Sequence, residues 1–398
     1  MAEMQGREYL MGDIMNILKL EISAMQNGNT SLVPVVVGDP GTGKSASIKD
    51  LAEKINYDVF IVSLGALPME WFSGLPDFAT EKMDSSYSLE GKEDIRTTVW
   101  TMSDLIRSIN VKAENALRDG KEGLIVLLDD IHLVEPMVQK YLFEFFQNKT
   151  LQNYKIHEKA FLVGAMNGKD SAGLESFLSA VINRMAIYKS KFDKEFWYKN
   201  VGGTLHPYIA SFASGPNDKY FVGANATDGA SPSPRTWTEL SQIIVEAETT
   251  SGDNRSQMND IIQILAEARV GREASVEFMK HVKIFQKFDF QSVLSKRDPN
   301  FKVPDDISDQ ILTAFIIRYI QSEEDARYLI DILNNNMERR TFISIFINEF
   351  EVMRSGLAKA PDSDVKKAFN KLNDLITSED EVSDELIDIV VSSLLDIA

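Results

Sequence analysis

The chain has 398 residues, 44% of them hydrophobic, which is enough apolar material for two or three packed domains. Sixty acidic residues against 42 basic ones give a net charge of −18, which opposes a broad electrostatic grip on DNA or RNA, because duplex binding calls for a basic stripe that releases counterions. Cysteine is absent, which excludes disulfides and thiolate metal sites, and His132, His157, His206 and His281 are scattered without the spacing of a zinc site.

The N-terminal stretch has no basic segment followed by an apolar core, and no apolar run approaches the roughly 20 residues of a membrane helix, so a soluble cytoplasmic protein is expected. Arg7 to Met25 reads as an amphipathic helix closed by Asn27-Gly28-Asn29. The apolar run Leu32 to Val37 then reads as a strand, and Ala46 to Lys54 as a helix. Between them lies Gly38-Asp39-Pro40-Gly41-Thr42-Gly43-Lys44-Ser45, which fits G-x-x-x-x-G-K-[ST]. A strand that runs through a glycine-rich turn into a helix aims several backbone N–H groups into one concavity at the positive end of a helix dipole, and that is a cradle for phosphate. In it Lys44 can reach the β- and γ-phosphates of a nucleotide, and the Ser45 hydroxyl can ligate Mg²⁺.

Asp58 to Leu64 reads as a buried parallel strand, so strand and helix alternate as in an α/β domain. Phe72-Ser73-Gly74-Leu75-Pro76 follows, then a polar segment from Thr80 to Asp94, a hairpin arm at Arg96 to Met102 and a helix from Ser103 to Arg118. This insertion is suited to touching a substrate or a neighbouring subunit, or to being a solvated hairpin. Leu124 to Leu128 is a strand buried on both faces that delivers Asp129 and Asp130 to the carboxyl edge of the sheet, where ligands bind in open α/β folds. There Asp129 would hold Mg²⁺ through water, and Asp130 would orient and deprotonate an attacking water. After a helix at Pro136 to Gln147, Phe161 to Met166 is a further buried strand, with Asn167 at its end. An uncharged amide there can hydrogen-bond both the attacking water and the γ-phosphate. Arg184 precedes the short apolar segment Ala186-Ile187-Tyr188 and is expected at an edge of the core, the place from which an arginine finger reaches a neighbour's γ-phosphate.

Phe192 to Ala213 reads as helical with a break at Gly202-Gly203, turn residues crowd Ser214 to Asp218 and Gly223 to Pro234, and helices resume from Arg235 to Phe285. Beyond, amphipathic helices are expected at Asp306 to Ile320, Ser322 to Leu333 and Phe342 to Met353, with Ser322 as an N-cap. The segment Ser378 to Ala398 reads as a helix that packs on its neighbours or docks a partner.

The ordered set Gly38 to Ser45, Asp129-Asp130, Asn167, Arg184 and Arg235 resembles an AAA+ ATPase, with the roles of Walker A, Walker B, sensor 1, arginine finger and sensor 2. Phe72 to Pro76, Trp197 to His206-Pro207 and Ser233-Pro234-Arg235-Thr236-Trp237 look like the MoxR-like branch found in phages and bacterial operons. The resemblance spans residues 30–285 and has one departure: members usually carry Asp-Glu, whereas Asp130, one methylene shorter, stands in the glutamate position. It implies ATP and Mg²⁺ as cofactors, a hexameric ring and a remodeller or chaperone acting on protein partners, among them a von Willebrand factor A domain protein. Two other functions share these parts, a nucleic-acid motor of the helicase-loader or clamp-loader kind and an ATP-gated scaffold with little turnover. The fold expected is α/β, a P-loop core at 1–190 with a five-stranded, mainly parallel sheet, then a helical lid at 191–286 that carries Arg235, and a helical extension at 287–398.

Overall fold

The runs from Leu32, Leu124 and Phe161 lie side by side inside one parallel sheet, whereas Asp58 to Leu64, also read as a buried strand, is an edge strand with most of its side chains at least partly exposed. The structure, a computed structural model, describes residues 8–81, 95–167, 178–222, 230–251, 255–358 and 363–376. It forms two compact units, Met1–Asp193 and Lys194–Ala398.

In the first unit, β1 (Glu8–Leu10), β2 (Val33–Gly38), β3 (Tyr57–Ser63), β6 (Gly123–Asp129), β9 (Ala160–Asn167) and β10 (Met185–Lys191) form a sheet in the order β1-β10-β2-β9-β6-β3, with every pairing parallel. The central strands β2, β9 and β6 are buried along nearly their whole length, as expected for strands covered on both faces. Helices α1 (Met11–Gln26), α2 (Lys44–Lys54), α3 (Glu70–Ser73), α4 (Asp104–Arg118) and α5 (Gln139–Asn148) connect them. The sheet has six strands where five were expected. The addition is β1, an edge strand whose Tyr9 pairs with Ser190, so the helix expected from Arg7 begins only at Met11. Three residues are too few for a period-2 pattern to stand out against the helical pattern that follows.

Two small hairpins stand apart from the sheet. β4 (Pro76–Glu81) pairs antiparallel with β5 (Ile95–Trp100), which gives the expected arm at Arg96 to Met102 its partner. β7 (Thr150–Leu151) and β8 (Tyr154–Lys155) form a second one between α5 and β9. Helix α4 is capped by Ser103, whose hydroxyl accepts from Ile106 N, and it buries Leu105, Ile106, Ile109, Ala113 and Ala116 in the core.

The second unit is helical. Its two motif stretches meet in one aromatic cluster, where Trp237 and Phe221 lie 5.3 Å apart, Trp197 and Phe221 5.3 Å, and Trp237 and Phe278 5.3 Å. The segments expected as lid and as extension share this unit. Gly203 and Gly356 approach so closely that a Cβ on Gly203 would stand 2.9 Å from Gly356 Cα. Ser322 caps the helix Glu323–Asn335 in a capping box with Asp325, as its position suggested. The expected helix at Ser378 to Ala398 lies outside the described residues. Among the described residues no helix is long and apolar enough to cross a membrane.

A buried ion pair fastens the second unit. Arg318 and Glu349, 3% and 0% exposed, stand 2.8 Å apart, and Arg318 also donates to the carbonyls of Gly202 (3.0 Å) and Leu205 (3.2 Å). The Tyr198 hydroxyl donates to Glu349 at 2.5 Å, and burial together with that carboxylate raises its pKa. Removing one member of a buried pair strands the other charge. Arg318→Ala is therefore expected to cost about 3–5 kcal/mol in chemical denaturation. Arg318→Met combined with Glu349→Leu should recover most of it, and a loss from the double variant as large as that from Arg318→Ala would refute this account.

Candidate functional site

Strand β2 ends at Gly38, and the chain then needs two left-handed residues to turn into α2. Gly41 (φ 75°) and Gly43 (φ 90°) supply them, and Gly43 is the residue from which α2 starts. The Thr42 hydroxyl donates to Asp39 O at 2.8 Å and closes the loop on itself. Gly38 answers to a distant contact: a Cβ there would lie 2.0 Å from Ser190 Oγ, which donates to Val37 O at 3.0 Å from the neighbouring β10. Lys44 is buried, with its ammonium donating to Gly38 O (2.9 Å), Asp39 O (2.9 Å) and Asn167 Oδ1 (3.3 Å).

The parallel register brings the other candidate residues to the same edge. Gly38 pairs with Asn167 across β2 and β9, and Ser63 pairs with Asp129 across β3 and β6. The Ser45 hydroxyl donates to Asp129 Oδ2 at 2.8 Å, so a hydroxyl and a carboxylate converge at the start of α2. Two hard oxygen donors beside a phosphate cradle are the protein's usual share of a Mg²⁺ site, the rest being waters and substrate phosphates. The donor set thus fits the ion that the sequence implied.

Asp130 follows with φ 54° and ψ 40°, a left-handed conformation that Asp and Asn adopt more readily than other side-chain-bearing residues, and its N–H donates to Asp129 Oδ1 at 3.0 Å. The chain then turns down onto the sheet through Ile131. Gly164 makes room for it, since a Cβ there would lie 2.5 Å from Ile131 Cδ1 and 2.9 Å from Val35 Cγ2.

Arg184 is not at this edge. Met185 pairs with Val33, which places Arg184 at the amino end of β10, beside the start of β2 rather than its end. Six strand steps separate the level of Arg184 from that of Gly38, about 20 Å. Its guanidinium is half-buried, with Nε and Nη2 donating to Gln147 Oε1 (3.0 and 2.7 Å), Nη1 to Ala180 O (2.6 Å), and the group lying 4.0 Å over the Phe143 ring. These partners are all neutral, so the positive charge is oriented but not cancelled.

Arg235 belongs to the second unit, where it sits exposed near the start of the helix Pro234–Ser251. Its neighbours in the motif have structural duties. Ser233 Oγ accepts from Thr236 N at 3.2 Å and Thr236 Oγ1 accepts from Ser233 N at 2.9 Å, a reciprocal cap. Trp237 is fully buried and donates to Tyr220 O at 2.7 Å. The motif thus fixes the helix start and leaves Arg235 as its projecting member. Sequence reading missed Ser190 and Gly164, whose importance lies in contacts with remote parts of the chain, as well as the loop-closing bond of Thr42.

The family model for the AAA domain (dynein-related subfamily) matches residues 34–185. This segment has the P-loop AAA+ fold. Its limits run from β2 to the first residue of β10 and include the edge that Lys44, Ser45, Asp129, Asp130 and Asn167 share. Among solved structures, the Holliday junction branch migration motor RuvB of Thermotoga maritima is 12% identical, with 74% of this chain and 79% of that chain covered at a TM-score of 0.34. A point mutant of the same RuvB is 13% identical over 72% and 75%, also at a TM-score of 0.34. No curated protein matches the chain. AAA+ domains in general hydrolyse nucleotides and commonly assemble into rings.

Proposed function

We propose that the chain is an ATP-hydrolysing AAA+ remodeller of the MoxR-like kind, acting on protein partners as a ring whose nucleotide sites are shared between subunits. The observation that carries the hydrolase reading is the meeting of Lys44, Ser45, Asp129, Asp130 and Asn167 at the carboxyl edge of one sheet. In this reading Gly38 to Ser45 enclose the triphosphate, Lys44 moves its bonds from the loop carbonyls to phosphate oxygens, and Asn167 steadies the γ-phosphate and the attacking water. Ser45 and Asp129 would hold Mg²⁺, which neutralises phosphate charge when bound. Asp130 takes the proton from the water, Arg184 serves the neighbouring subunit, and Arg235 reads the nucleotide state for the lid. Protein partners, including a von Willebrand factor A domain protein, are favoured over nucleic acid by the motif stretches of the second unit and by the net charge of −18.

Asp130 decides between this reading and a second one, an ATP-gated scaffold with little turnover. Asp130→Asn is expected to keep ATP and Mg²⁺ binding, because asparagine tolerates the left-handed backbone, and to lower turnover by about 10²–10⁴-fold for want of a base. Steady-state phosphate release checks it, and undiminished turnover would remove Asp130 from the mechanism. Asp130→Glu reaches farther toward the water but places a longer side chain at φ 54°, at a cost of roughly 1 kcal/mol. A wild type with no turnover beside an active Asp130→Glu would establish the scaffold.

A further inference from the structure

We propose that a cavity in the second unit, lined by none of the residues assigned to the nucleotide, binds a guanidinium group through an aromatic wall and two carboxylates. The cavity, about 350 Å³, is bounded by Tyr208, Phe285, Phe290, Tyr319, Glu248 and Asp289, with the Gln286 amide between them. That size is at the lower end of sites for small molecules or single side chains.

Its rings form a continuous surface. Phe290 and Tyr319 stack at 4.9 Å and 19°, Phe288 and Phe290 at 5.9 Å and 17°, and Phe285 meets Phe290 at 5.3 Å and Tyr208 edge-on at 5.4 Å. None of the residues lining the cavity is basic. Arg318, next in the chain to Tyr319, is engaged by Glu349 and the Gly202 carbonyl. Both carboxylates are held in place through one oxygen each. Glu248 Oε2 lies 3.1 Å from His206 Nε2, and Asp289 Oδ1 accepts from Ser292 N at 3.0 Å as the N-cap of Phe290–Lys296. The Gln286 amide is oriented in turn, donating to Tyr208 Oη (3.1 Å) and Asn259 Oδ1 (2.9 Å).

Negative ring faces and two carboxylates, with no Lys or Arg among the lining residues, attract a cation. Guanidinium suits the site better than ammonium, because it is planar, weakly hydrated, stacks on rings and can bond a carboxylate through two N–H groups. Burial first, then Tyr208 and Glu248, raise the pKa of the Tyr319 hydroxyl against the lowering effect of Arg318, so it stays protonated and able to donate. The ligand is either a free guanidinium compound or an arginine side chain of a partner protein.

The test is calorimetric titration of the full chain with agmatine and with a capped Gly-Arg-Gly peptide, using the citrulline peptide as an uncharged control. At least one guanidinium probe is expected to bind in the submillimolar range, and the citrulline peptide not to bind. Binding of agmatine alone identifies a free ligand, and tighter binding of the peptide identifies a partner segment. Glu248→Gln should weaken the better probe about tenfold or more, a change of roughly 1.4 kcal/mol. If that variant fails to fold, Asp289→Asn decides, since asparagine keeps the cap and removes the charge. Absence of binding by both probes at millimolar concentration, equal binding of the citrulline peptide, or wild-type affinity in the folded charge-removed variants would overturn the proposal.

Discussion

Lys44→Ala is expected to lose ATP binding to the limit of detection. The ammonium lies in the loop that the phosphates would occupy, 2.9 Å from the carbonyl oxygens of Gly38 and Asp39 and 3.3 Å from Asn167 Oδ1. Deleting it removes the main positive charge offered to the β- and γ-phosphates and leaves those oxygens turned toward a highly charged anion. Truncating one member of a desolvated, hydrogen-bonded charge pair typically costs about 2–5 kcal/mol, a loss of roughly 30-fold to several thousand-fold in affinity. Titration with a fluorescent ATP analogue reads the effect, and a melting curve shows that the fold has survived the lost contacts. Unchanged affinity in a folded variant would sink the assignment of this loop to nucleotide.

Much of this site is legible in the sequence because each of its parts is announced locally. Glycines two apart immediately before Lys44-Ser45 specify the positive φ values at Gly41 and Gly43. Apolar runs that end in Asp129-Asp130 and Asn167 identify strands buried on both faces, and parallel pairing then carries their polar ends to one edge. The parts that are not legible depend on tertiary neighbours. Gly38 looks like any first glycine of the loop until Ser190 is found against it, and Gly164 looks like a weak point in a strand until Ile131 is seen to occupy its place. Strand β1 is hidden because three residues carry no periodicity and the helix after them carries a strong one. The pair Arg318 and Glu349 cannot be read either. Thirty-one residues separate them, and each resembles a surface residue until the helices close over both.

Arg184→Ala is expected to lower ATP turnover by about 10³-fold or more, the lower end of what an arginine finger contributes in enzymes that use one, with ATP binding retained. Arg184 lies at the amino end of β10, about 20 Å along the strands from the level of Gly38, so it cannot neutralise phosphate in its own cradle. Gln147, Ala180 and Phe143 orient the guanidinium without cancelling its charge, the condition a group needs if it is to act on an anion supplied from outside. A head-to-tail contact that brings one subunit's Arg184 to another's Lys44 is heterologous, and such contacts close into rings or continue as filaments. Mixing separates a shared site from a structural role. Arg184→Ala and Lys44→Ala proteins, each inactive alone, should regain part of the ATPase when combined, because some interfaces then join an intact loop to an intact arginine. A structural defect in Arg184→Ala would show as a lowered melting temperature and would not be rescued by a partner that cannot bind ATP. Normal turnover by Arg184→Ala alone, or full turnover by the wild type at dilutions where it is monomeric, would end the shared-site model.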